Sequence, residues 1–144
     1  MRKIISLKSV NKSSISVVIL SVLYFMSYFL PYGKALSAST FSYISRSGIE
    51  VISDNAVRYG VLALFLIIYM ILRFKFPQYS IIFASFIFLY LFYLAVLPFL
   101  LPTGTPISVY SAIVVKILQI GYYVNSLLGL VLGIYLIRQS LKTR

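Results

Sequence analysis

The chain lacks cysteine, histidine and tryptophan, and its 144 residues include only two acidic side chains, Glu50 and Asp54. Without cysteine there is no disulfide framework and no redox thiol. Without histidine or cysteine the usual zinc sites, haem ligands and imidazole or thiol catalysts are excluded. Two carboxylates alone fall short of the oxygen ligands that a strong calcium site needs. The sequence therefore points to no enzyme, no metal and no cofactor.

Apolar residues are what the chain has in abundance. They make up 61% of it, and charged residues only 10%. A soluble domain averages roughly 45–50% apolar and about 25% charged. A bilayer is the solvent that suits this composition. The net charge of +11 comes from 13 Lys and Arg. These flank apolar runs, so anionic lipid head groups account for them at about 1 kcal/mol per residue near the surface. No soluble basic domain is left over to bind nucleic acid.

Four long apolar runs predict an all-α polytopic protein, a four-transmembrane-helix bundle forming one integral membrane domain over residues 1–144. The spans are expected at about 14–32, 57–72, 79–101 and 108–137. Each approaches or exceeds what a hydrocarbon layer of ~30 Å requires at 1.5 Å rise per residue, except the short second one. Pro31 and Gly33 stop the first span. Residues 33–47, rich in Ser, Ala and Thr, read as a loop outside the membrane. Ser47 and Glu50 have the spacing of a capping box, so a helix is expected to begin near Ser47 and run on into the second span. Arg58 and Arg73 are expected to snorkel at its two ends.

Basic residues concentrate in the amino-terminal head, the 73–78 turn and the carboxy-terminal tail. By the positive-inside rule both termini are cytoplasmic, in the cell (inner) membrane. A signal peptide covering about residues 1–37 is the rival reading, but the first apolar run is longer than a usual h-region of about 7–15 residues.

Two groups of residues are candidates for function. Gly121, Asn125, Gly129 and Gly133 recur every four residues along span 4. Such a small-residue stripe lets helix backbones approach closely, within the bundle or against another subunit, and Asn125 can hydrogen-bond across it. Glu50, Asp54 and Arg58 form an i, i+4, i+8 ladder. With Lys116 and Gln119 they form an outer polar cluster. Lys116, Gln119, Tyr123 and Ser126 would share one polar face of a continuous span 4. Tyr24, Tyr28 and Tyr32 make an aromatic ladder on span 1.

Phe29-Leu30-Pro31-Tyr32 followed by Ser47-Gly48-Ile49-Glu50 resembles a layout of small, poorly characterised bacterial four-span inner-membrane proteins. In that layout the first span ends in Leu-Pro-aromatic and the first outer loop carries Ser-Gly. Here the aromatic is Tyr where Trp is common. The architecture also looks like that of four-span immunity proteins. The resemblance implies an inner-membrane location and no established activity. The expectation is a non-catalytic membrane protein acting through intramembrane helix contacts, as an accessory subunit or immunity-type protein. Its partners would be the lipid bilayer and a membrane protein, or further copies of itself. The alternative is a small channel or transporter component working as an oligomer.

Overall fold

A computed structural model of the chain describes residues 7–37, 39–100 and 113–142. Helix α1 covers Leu7–Met26 and tightens into a 3-10 turn at Ser27–Phe29. Leu30 is extended, with φ −75° and ψ 157°, the conformation that a following proline imposes. The first helix thus ends just ahead of Pro31, as expected.

The expected loop at 33–47 is instead part of a β-hairpin. Strands β1 (Pro31–Leu36) and β2 (Tyr43–Ser47) pair antiparallel, with Gly33 opposite Arg46 and Leu36 opposite Tyr43. The all-α reading is corrected by this small β element. Its physical reason is that backbone N–H and C=O groups beside apolar surroundings must find partners, and a hairpin supplies them locally. The register slips between Pro31 and Gly33, leaving Tyr32 as the extra residue of β1. Such a bulge re-aims a side chain, and Tyr32 is buried.

Ser47 caps helix α2 (Gly48–Asp54) through the expected capping box. The helix does not continue into the second span. Asn55, at φ −130° and ψ 36°, separates α2 from α3 (Ala56–Lys75). Its side-chain amide donates to the Val51 carbonyl at 3.2 Å, taking an acceptor that backbone N–H of a continuing helix would use. After Phe76, Pro77 opens helix α4 (Pro77–Val96), where its missing N–H costs nothing. A 3-10 turn, Leu97–Phe99, comes next.

The expected fourth span is also two pieces. Residues 113–117 form helix α5, and α6 covers Ile120–Lys142. Between them Leu118 pairs with Gly33 in an isolated antiparallel bridge. The Gln119 N–H donates to the Tyr32 carbonyl at 3.1 Å. The edge of β1 thus diverts backbone groups from the helix, and the break makes the overlong span intelligible. Residues 108–112 and the 101–106 loop lie outside the described residues.

Among the described residues, three helical stretches are long and apolar enough to cross a membrane: Ala56–Lys75, Pro77–Phe99 and Ile120–Lys142. Ser14–Phe29 is a shorter apolar helix. Helix α6 packs against α1 and against α4, and α3 packs on α4. Leu62, Tyr69, Ala84, Ile87, Leu132 and Leu136 are the fully buried centre of this arrangement. Large apolar side chains such as Phe86, Leu89 and Leu127 point outward and are well exposed, as a hydrocarbon surround would favour.

Candidate functional site

The glycine stripe of α6 faces the protein's own helices. A Cβ added at Gly121 would lie 2.5 Å from the Pro31 carbonyl oxygen, and one at Gly133 would lie 2.6 Å from the Phe88 ring. At Gly129 the nearest atom would be a Tyr24 ring carbon at 3.1 Å. Between these glycines the Asn125 amide, which is buried, donates to the Ser27 hydroxyl at 2.8 Å and the Tyr24 carbonyl at 3.3 Å. The stripe is therefore the surface along which α6 meets the end of α1 and the middle of α4. Of the two settings left open by the sequence, contact within the bundle is the one observed.

The outer polar cluster does not assemble as one group. Arg46, which the ladder omitted, takes both acids: its Nη2 lies 2.9 Å from Asp54 Oδ2 and its Nε 3.6 Å from Glu50 Oε2. All three side chains are well exposed, so the pairing contributes at most about 1 kcal/mol. Arg58 belongs to α3, beyond the Asn55 break, and the i, i+8 step assumed a helix that does not run through. Its backbone carbonyl accepts from the Tyr90 hydroxyl at 3.0 Å. The signal for Arg46 was present in the sequence, since it stands four residues before Glu50 and just ahead of the cap.

Gln119 sits at the junction of α5 and α6 and works as a staple. Its backbone N–H holds β1, and its side-chain carbonyl accepts from the Ser45 hydroxyl of β2 at 2.6 Å. Lys116, in α5, is separated from both acids. It lines a pocket of about 310 Å³ with Lys34, Tyr43, Ile113 and Ile117. The single polar face expected of Lys116, Gln119, Tyr123 and Ser126 is broken by the same junction.

No protein-family model, curated protein or solved structure matches this chain.

Two further groupings are set by side-chain chemistry. At the hairpin end, Tyr24, Tyr28, Tyr32 and Tyr122 run edge to face or stacked, with successive ring centroids 5.6 Å apart. Tyr59 of α3 joins at Tyr28, 5.2 Å away. The Tyr24 and Tyr28 hydroxyls share a hydrogen bond of 2.9 Å, and the Tyr122 hydroxyl donates to the Ala95 carbonyl. The ladder of Tyr24, Tyr28 and Tyr32 is thus an aromatic core tying α1, the hairpin, α3 and α6 together.

At the opposite end Arg73 turns inward, where snorkelling was expected. Only 6% of it is exposed, and its Nη2 donates to the Gln139 side-chain carbonyl at 3.2 Å. One turn away, Tyr69 donates to the Leu136 carbonyl and shares a hydrogen bond with Ser140. These contacts lock α3 to α6.

One side of the assembly is not closed. Helices α1 and α3 face each other across an apolar cleft of about 480 Å³, lined by Val18, Val22, Phe25 and Met26 on one wall and Ile67 and Ile71 on the other. No individual residue type marks this cleft in the sequence. It arises from which helices pack together.

Proposed function

We propose that the chain is an integral protein of the cell (inner) membrane that crosses it four times with both termini cytoplasmic, and that it acts without catalysis by binding another membrane protein. An accessory subunit or an immunity-type protein fits that description. The three long apolar helices and the shorter Ser14–Phe29 helix support the crossings. The orientation draws its support from the basic residues, nine of which fall in the head, the 73–78 turn and the tail.

The observation that carries the binding reading is the α1–α3 cleft. The glycine stripe is already filled by the protein's own side chains, so a partner must engage another face. One turn of helix, ~10 Å across and ~5.4 Å long, occupies roughly 420 Å³. The cleft volume is of that size. It would take a row of side chains from a transmembrane helix of the partner, lying across α1 and α3, and not the helix whole. A channel or transporter component is the competing reading, and it would need a polar path. The Gln119 and Asn125 amides are instead engaged in holding elements together.

A photo-crosslinking residue at Val22, in the cleft, and another at Leu89, exposed on α4, test this in intact membranes. The expected result is one discrete protein adduct from Val22 alone, lost when Ile67→Trp fills the cleft. An adduct of twice the chain's mass would move the reading to a homo-oligomer. Lipid adducts only, equal at both positions, would remove it.

A further inference from the structure

We infer that the pocket between the hairpin and α5 is a binding site for a phosphate anion attached to an apolar group. Its walls are Lys34 and Tyr43 from the hairpin and Ile113, Lys116 and Ile117 from α5. This inference does not rest on the α1–α3 cleft or on a protein partner.

Two lysines share one concave space of about 310 Å³. They are held there by the backbone. Gly33, next to Lys34, pairs with Leu118, two residues past Lys116. The Gln119 N–H to Tyr32 bond and the Ser45 to Gln119 bond fasten the same junction. The hairpin and α5 therefore cannot drift apart to relieve the like charges without breaking these links. Two unit charges about 4 Å apart in water repel by ~1 kcal/mol, and by more where the surroundings are less polar.

Among the described residues, no acidic side chain lines the pocket. The only two in the chain, Glu50 and Asp54, are held by Arg46. Glu50 and Arg46 line a separate depression with Ala35 and Ile44. Among the described residues no acid pairs with Lys34 or Lys116, so an anion from outside would meet no competitor there.

The remaining lining selects the ligand. Lysine ammonium groups bind phosphate as point charges, and a tetrahedral phosphate offers oxygens in two directions at once. The Tyr43 hydroxyl is a further donor. Ile113 and Ile117 give the pocket an apolar wall, where a free inorganic ion gains nothing and a hydrocarbon-bearing phosphate buries carbon. The head group of an anionic phospholipid and a soluble phosphate ester share this chemistry.

The test uses the purified full-length protein in a neutral detergent. Binding of phosphatidylglycerol, and separately of glycerol 3-phosphate, is measured by native mass spectrometry. The variants are the double substitution Lys34→Gln with Lys116→Gln and a charge-matched control, Lys75→Gln with Lys142→Gln. Each lysine near a membrane surface is worth about a fivefold change in affinity, so the pocket pair should weaken phosphatidylglycerol binding roughly 30-fold. Neither control lysine lines the pocket, so screened long-range charge alone should change binding less than about twofold. Lysine-dependent binding of the lipid alone identifies the lipid head group as the source. Equal dependence for glycerol 3-phosphate identifies the soluble ester. Unchanged binding in the pocket variant, or an equal loss in the control, overturns the assignment, because the effect would then be one of net charge alone.

Discussion

On one side of α1 and the turn that ends it, Tyr24 and Ser27 are buried against α6, where Gly129 and Asn125 receive them. On the other side, Val18, Val22 and Met26 stand more than half exposed over the cleft toward α3. Neither face carries a charge at these positions, yet only one is packed. What separates them is the partner's side chains. α6 offers Gly121, Gly129 and a buried amide, which let the α1 backbone come close and then hold it. α3 offers branched and flexible side chains, Ile67, Met70 and Ile71, which keep the two helices apart. In hydrocarbon the helices gain little from hiding apolar surface, so close approach and interhelical hydrogen bonds decide which pairs form.

The largest effect should come from removing close approach. Gly121→Val places atoms within 2.5 Å of a backbone oxygen that cannot move aside easily. A loss of about 3 kcal/mol, or of folded protein altogether, is expected, measured by thermal unfolding in detergent and by gel filtration. A Gly121→Val protein as stable as the parent would mean that α6 does not pack on the end of α1 as described. Asn125→Leu keeps the helix apolar but deletes two hydrogen bonds; the Tyr24 carbonyl still accepts from the Ser27 hydroxyl, which loses its own amide donor. About 1–2 kcal/mol should be lost, read from the same melting curves. The smallest effect belongs to the open face. Val22→Ala should shift stability by under about 0.5 kcal/mol, since its side chain is already 53% exposed. A loss comparable to that of Asn125→Leu would show that the cleft is closed in the membrane.

Much of this frame was legible in the residues. Pro31 and the Ser47–Glu50 pair act where their chemistry says they should, because each works through its immediate neighbours. The apolar runs are likewise local. The breaks are not. Nothing at Leu118 or Gln119 forbids a helix, and the interruption arises from β1 lying alongside and accepting the Gln119 N–H. Asn55 is intermediate: asparagine favours competing side-chain bonds, but whether it ends a helix depends on how the neighbouring turns pack. The glycine stripe announced a contact face without naming the neighbour. The Glu50–Asp54–Arg58 ladder failed because it counted across Asn55, and Arg46 was overlooked because it precedes the helix whose acids it holds. Lys34 and Lys116 lie far apart in sequence, and only the hairpin bridge brings them to one pocket.

The Asn125 hydrogen bonds also set an order of events during synthesis. They join residues 98 and 101 positions apart, so α1 waits for α6. Until α6 leaves the ribosome, α1 has neither its close-packed partner nor its amide clamp, and the hairpin has no Gln119 to fasten it. α3 and α4 adjoin in the chain and can pair at once. A chain stopped before Ile120 would therefore hold a finished helical pair beside an unanchored first helix. That interval closes when α6 docks on α1.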